Sequence, residues 1–140
     1  MKGRRKMTIA VRYYSRTGNT KKLAEAVADE LGVKAKPVSV PLNDPVDKLV
    51  LCNSVYYASA DKHVKNFVKE NAAKIGELLN VSSAAIVESS YDSVKSVADE
   101  AGVKMSAAEF HCLGKSDVSN AGHPNAEDLR NVRAFASSIA

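Results

Sequence analysis

A chain of 140 residues, 45% of them hydrophobic, suffices for one domain with its own core and is too short for two. The formal charge of +4 would suit a nucleic-acid binder, but Lys2, Arg4, Arg5 and Lys6 supply all of it, and residues 7–140 sum to zero. No RNA- or DNA-binding signature occurs in the body and no apolar run approaches a membrane span, so neither a nucleic-acid nor a membrane partner is expected.

Residues 1–6 read as a basic, flexible N-terminus ahead of a single domain over 7–140, with Met7 as a second start. Such a tip could meet anionic surfaces or be an unstructured leader. It is not followed by the apolar stretch and small-residue cleavage site of a secretory signal. Cys52 and Cys112 are too few and too far apart for a disulfide framework or a zinc site, and a reduced, cytoplasmic protein is expected. His111 lies beside Cys112, but neighbours on a strand point to opposite faces.

Met7–Tyr14 (MTIAVRYY) is a compact β-rich run, apolar enough for a buried strand. Thr20–Leu31 then places Leu23, Val27 and Leu31 on one helical face, with Gly32 as the stop. A second strand over VKAKPVSV contains Pro37, which removes a ladder donor and puts the strand at an edge. The third, DKLVLCNSV, is buried at Leu49–Leu51. The spacing of Val64, Phe67, Val68, Ala72, Ile75 and Leu79 predicts a helix over roughly 63–79. VSSAAIVES is expected as a fourth strand, YDSVKSVADEAG as a helix ended by Gly102, VKMSAAEFHCLG as a fifth strand, and NAEDLRNVRAFASSIA as the closing helix.

Alternating strands and helices imply an open, doubly wound α/β fold with a five-stranded parallel sheet. The link between strands two and three, PLNDPVD, is too short for a crossover helix. A crossing needs roughly 20 Å, and seven or eight extended residues reach about 25 Å, so a loop can make it. One sheet face is then thinly covered, either completed by a second subunit in a homodimer or closed by Leu42 and Val46.

The first strand runs into Ser15-Arg16-Thr17-Gly18-Asn19-Thr20 at the start of a helix. Open amides and the helix dipole favour an anion there, hydroxyls add donors matched to a tetrahedral phosphate, and Gly18 lets the backbone approach closely. Neither G-x-x-x-x-G-K-[ST] nor G-x-G-x-x-G is present. A plain strand–turn–helix capped by Thr17 or Asn19 would use only one of these polar groups.

SRTGNT after a hydrophobic strand resembles the FMN-phosphate signature of flavodoxins. The resemblance extends to LVLCNSVYYASADKHVKNFV and to the end, EFHCLGKS…GHPNAEDLRNVRAFA. It implies the flavodoxin-like sheet order 2-1-3-4-5, for which flavodoxin is itself the standard example, with ligands at the carboxyl ends of the strands. It also implies FMN, with the phosphate on Ser15, Arg16, Thr17, Gly18, Asn19 and Thr20. The isoalloxazine ring would lie between Asn53, Ser54, Val55, Tyr56, Tyr57 and Ala58 on one side and Ser89, Ser90, Tyr91 and Ser93 on the other. Tyr56, Tyr57 and Tyr91 would supply aromatic walls. Arg16 would neutralise the phosphate or project into water. His63 and His123 are expected as structural or surface groups.

The ring-side loops depart from the family pattern: CNSVYYA and ESSYDS lack glycine, and the chain has no tryptophan. Two readings follow. One is an FMN-binding protein of electron transfer or flavin-dependent reduction, serving a redox partner protein or a small-molecule electron acceptor. The other is a binding or regulatory domain that keeps the fold and has lost or weakened the flavin. A response-regulator switch would need an aspartate at the end of the third strand, which LVLCNS lacks. An electron carrier needs no catalytic acid or base, and none is assigned.

Overall fold

The computed structural model describes residues 7–15, 18–56, 59–84, 89–113 and 124–139. In chain order these form β1 (Ile9–Tyr13), α1 (Asn19–Leu31), β2 (Ala35–Pro37), β3 (Val46–Tyr56), β4 (Ser59–Ala60), α2 (Lys62–Asn71), a 3-10 turn at Ala72–Lys74, β5 (Ile75–Ala84), α3 (Tyr91–Ala101), β6 (Met105–Leu113) and α4 (Ala126–Ile139). The five long-range strands are all parallel, in the order β2-β1-β3-β5-β6. Numbered without the two-residue β4, that is the expected 2-1-3-4-5. β4 folds back antiparallel on β3, pairing Val55 with Ala60 and Tyr56 with Ser59. That hairpin is not apparent in the sequence, where no Asn-Gly, Asp-Gly or similar turn pair occurs between Val55 and Ala60.

Each sheet face has its own core. Val11, Val50, Leu79 and Val81 meet Leu23 and Val27 of α1 and Val132 and Ala136 of α4. Leu49, Leu51 and Leu78 meet Val64, Phe67 and Val68 of α2 and Val94 and Val97 of α3. Most of these side chains are fully out of water, each worth about 1.5–3 kcal/mol relative to exposure. β2 shrinks to three residues at the sheet edge, and Pro37, paired with Tyr13, is its last.

The helix expected over 63–79 ends earlier, and Ile75–Leu79 are strand. β5 begins at Ile75, opposite Val46. Gly76 explains the register: a Cβ there would lie 2.5 Å from the Asp47 carbonyl oxygen, so only glycine allows this approach. Leu78 joins the α2/α3 core while its neighbour Leu79 joins the other, the alternation of a strand rather than one helical face.

The link between β2 and β3, residues 38–45, contains no helix. Leu42 is buried in the α2/α3 core, and Val38 and Val46 pack against it, so the chain's own side chains cover that face. The link is anchored by polar groups. Arg12, 7% exposed, donates from Nε to the Val40 carbonyl (2.9 Å) and from Nη2 to that of Pro41 (3.2 Å). Asn71 accepts from the Leu42 amide at 3.0 Å, and Lys74 donates to the Leu42 and Asn43 carbonyls. Burial lowers the Arg12 pKa from its ordinary value. Among the described residues no helix is long and apolar enough to cross a membrane, and no cluster of three or more potential metal ligands occurs.

Candidate functional site

The winding direction changes between β1 and β3, and the junction leaving β1 opens at their carboxyl ends. The Tyr14 amide continues the ladder by donating to the Cys52 carbonyl at 3.0 Å. Ser15 Oγ then accepts from the Gly18 amide at 2.8 Å, closing a tight turn. Gly18 has φ +88°, a conformation that side-chain-bearing residues rarely adopt, and nothing lies within 4 Å of where its Cβ would be. α1 starts immediately afterwards. Arg16 and Thr17 lie outside the described residues.

The helix N-termini differ in a way that bears on anion binding. Asp61 caps α2, accepting from the His63 amide at 2.8 Å. α3 carries Asp92 in its first turn. α4 carries Glu127 and Asp128, with Asn125 and Asp128 exchanging amide bonds at 2.9 Å. α1 has glycine at its N-cap, no side-chain cap bond and no acid in its first turn. Its positive end is therefore not offset by a carboxylate of its own, which is the electrostatic condition for seating a phosphate.

Thr20 is fully buried, and its hydroxyl points under the junction. It lies 2.5 Å from Ser54 Oγ and 3.1 Å from Ser83 Oγ, with those two 3.5 Å apart. The cluster ties α1 to the carboxyl ends of β3 and β5. A hydroxyl both donates and accepts, so Thr20 can accept within the cluster while donating outward. Ser83 was not singled out by the sequence; its only signal is its place at the end of a strand beside Ser54.

On the ring side the expected residues separate into two layers. Asn53 and Ser90 are 0% and 1% exposed and lie beneath the strand ends rather than at the surface. Asn53 Nδ2 donates to Asn80 Oδ1 (2.8 Å), Asn80 Nδ2 to Ser90 Oγ (2.9 Å), and Ser90 Oγ to Asn53 Oδ1 (2.5 Å). Val55 and Tyr56 contribute backbone to the hairpin with β4. Tyr57 and Ala58 lie outside the described residues. Ser93 Oγ accepts from the Ala60 amide at 2.9 Å, joining the hairpin to the first turn of α3.

Tyr91 departs from its expected place as an aromatic wall. Its hydroxyl donates to the Ser106 carbonyl at 3.0 Å, near the amino end of β6, so the phenol runs away from the strand ends. Its neighbour Ser89 accepts from the Tyr91 amide and donates to Glu109 at 2.8 Å, and Glu109 also holds His111 Nδ1 at 2.8 Å. Cys112, next to His111, packs instead against the α1/α4 core. Burial raises both thiol pKa values, Cys112 to about 12 with Asp128 adding to the effect, which favours the protonated thiol at neutral pH.

A different aromatic pair borders the β1–α1 junction. Tyr14 stacks on His63 with ring centroids 4.9 Å apart and planes 12° from parallel. Both line a cavity of about 480 Å³ with Tyr13, Ser15, Val38 and Phe67, beside the helix-free link. His63, half of the stack, is also anchored by Asp61, 2.6 Å from Nδ1. His123 lies outside the described residues.

Comparisons with solved structures find the same fold in flavodoxins and in a flavodiiron core. A flavodoxin from the domain Archaea superposes with a TM-score of 0.77 at 19% identity, covering 96% of each chain. The flavodoxin of Streptococcus pneumonia TIGR4 gives 0.62 at 22% identity, over 94% of this chain and 96% of that one. The Flv1 flavodiiron core from Synechocystis sp. PCC6803 gives 0.72 at 14% identity, with 96% of this chain covering 35% of that larger protein. At these identities the likeness is one of fold. No curated protein sequence matches the chain. The family model of the flavodoxin domain matches residues 10–112, which span β1 to β6. By that match, over most of its length, the chain belongs to the flavodoxin-domain family.

Proposed function

We propose that this protein binds FMN at the carboxyl ends of β1, β3 and β5 and works in electron transfer or flavin-dependent reduction. The observation that carries this reading is the α1 N-terminus: a glycine cap at φ +88°, no acid in the first turn, and hydroxyls of Ser15 and Thr20 at the junction. That donor set suits a phosphate dianion, as the dipole and the amides favour negative charge there.

Ser15, Gly18, Asn19 and Thr20 would hold the phosphate, together with Arg16 and Thr17 of the same motif. Asn53–Ala58 and Ser89–Ser93 would flank the ring, with Asn53 and Ser90 acting from below. Bound FMN would supply one- and two-electron redox chemistry, and the protein's part is to seat and orient it. The electrons would pass to a redox protein or to a small-molecule acceptor in the cytoplasm. The basic residues 1–6 would be a separate, flexible lead-in to the domain.

One observation favours the second reading, a binding domain without tight flavin: Tyr91 is turned from the strand ends by its bond to Ser106. Titrating the purified protein with FMN separates the two. The flavoprotein reading expects saturable quenching of flavin emission at one site per chain. Emission that stays unchanged at micromolar protein would overturn it.

A further inference from the structure

We propose that the closed ring of hydrogen bonds Asn53–Asn80–Ser90 is a positioning device that sets the spacing of the two loops flanking the flavin ring, and so governs affinity for the ring independently of the phosphate. This rests on the FMN reading above. The three side chains come from three elements: β3, β5, and the segment that opens α3. Each is at least 99% out of water.

Their bonds run head to tail, amide to amide oxygen, amide to hydroxyl, hydroxyl to amide oxygen, at 2.8, 2.9 and 2.5 Å. Among the described residues no buried side-chain nitrogen or oxygen lacks a partner, so the ring is fully satisfied. Burying polar groups in an otherwise apolar layer costs free energy that hydrophobic residues of similar size would not. What the polar ring provides instead is direction: each bond holds only at one distance and angle.

The position gives that direction a use. Asn53 lies two residues before the β3–β4 hairpin, and Ser90 lies between Ser89 and Tyr91 at the start of α3. The ring therefore joins the roots of the two ring-side loops across the intervening strand end. A second tie repeats the connection nearer the surface, from the Ala60 amide to Ser93 Oγ, which in turn donates to the Ser90 carbonyl at 3.0 Å. With Asn53, Ser90 and Ser93 pinned in this way, the spacing at the bases of the two loops is set before a flat ligand arrives, and that part of the ordering need not be supplied on binding.

The test compares FMN with riboflavin, which lacks the phosphate, by fluorescence titration of the full chain. Ser90→Ala is expected to weaken both ligands by the same factor, about tenfold, as it leaves two buried amide groups short of a partner. The ratio of FMN to riboflavin affinity should stay within twofold of wild type. Val97→Ala, a cavity in the same core away from the bonds, is the control: matched for lost melting temperature, it should leave riboflavin affinity unchanged. Ser90→Ala binding riboflavin as wild type does, or weakening no more than Val97→Ala, would overturn the proposal. If Ser90→Ala does not fold, Ser93→Ala decides: about threefold weaker binding of both ligands supports the brace, and unchanged binding refutes it. Wild-type protein that binds neither flavin would instead overturn the FMN reading itself.

Discussion

The two halves of the site are built on opposite plans. At the β1–α1 junction the polar groups sit at a helix start with no acid and no capping side chain, and the glycine at φ +88° leaves open space where a Cβ would be. On the ring side the polar groups turn inward: Asn53, Asn80 and Ser90 bond one another below the strand ends, and Tyr91 reaches down to Ser106. In the proposed site the first region would present its helix start to a ligand, while the second spends its polar groups on its own geometry. On the proposed reading, charge recognition would belong to the β1–α1 junction, and the ring side would contribute shape.

The strongest way to break that contrast is to place a carboxylate at the open junction. Gly18→Asp puts a negative charge at the α1 N-terminus and a Cβ on a left-handed backbone. FMN affinity should fall by about a hundredfold or more, through lost dipole attraction, repulsion and strain, with riboflavin affected much less. Equal losses for the two ligands would place the phosphate elsewhere. Next in size, Thr17→Ala combined with Thr20→Ala should weaken FMN at least about tenfold, at about 0.5–1.5 kcal/mol per lost hydrogen bond or more at a charged group. Unchanged affinity by calorimetric titration would remove those hydroxyls from the site.

The opposite behaviour is expected on the ring side. Tyr91→Phe removes only the bond to Ser106, so it should lower stability by about 1 kcal/mol in urea unfolding while leaving FMN affinity as it is. A marked loss of affinity would return the phenol to the ligand. The smallest effect at neutral pH concerns Cys112, whose pKa is raised from 9.0 to about 12 by burial and Asp128. A raised folded-state pKa means the native form holds its proton where the unfolded form loses it. The contribution is complete below pH 9 and fades as pH rises from about 9 towards 12. Cys112→Ser should flatten the stability profile in that window, measured by urea midpoints; a profile unchanged by the substitution would contradict the assignment.

The parts legible in the sequence were those where local chemistry and fold agree. The helix-free link followed from its length, the edge position of β2 from Pro37, and the junction from the crowding of Ser15, Gly18, Asn19 and Thr20 into one turn. The start of β5 was not legible, because Ile75, Leu78 and Leu79 suit a helix face as well as a strand, and only contact with Asp47 reveals why Gly76 belongs in a ladder. The inward direction of Asn53 and Ser90 was not legible, since polar residues at strand ends ordinarily face a ligand or water. Their partner Asn80 sat in a predicted helix–strand boundary and gave no signal. The Tyr14–His63 stack joins residues far apart in sequence, and no local pattern marks such a pair.

The central claim is that the α1 N-terminus seats the phosphate of FMN, and backbone amide NMR measures it directly. On adding FMN to labelled protein, the amides of Gly18, Asn19 and Thr20 should shift most, and inorganic phosphate alone should move the same three in the same direction. Flavin binding with those amides unmoved, or no binding at all, would contradict the account.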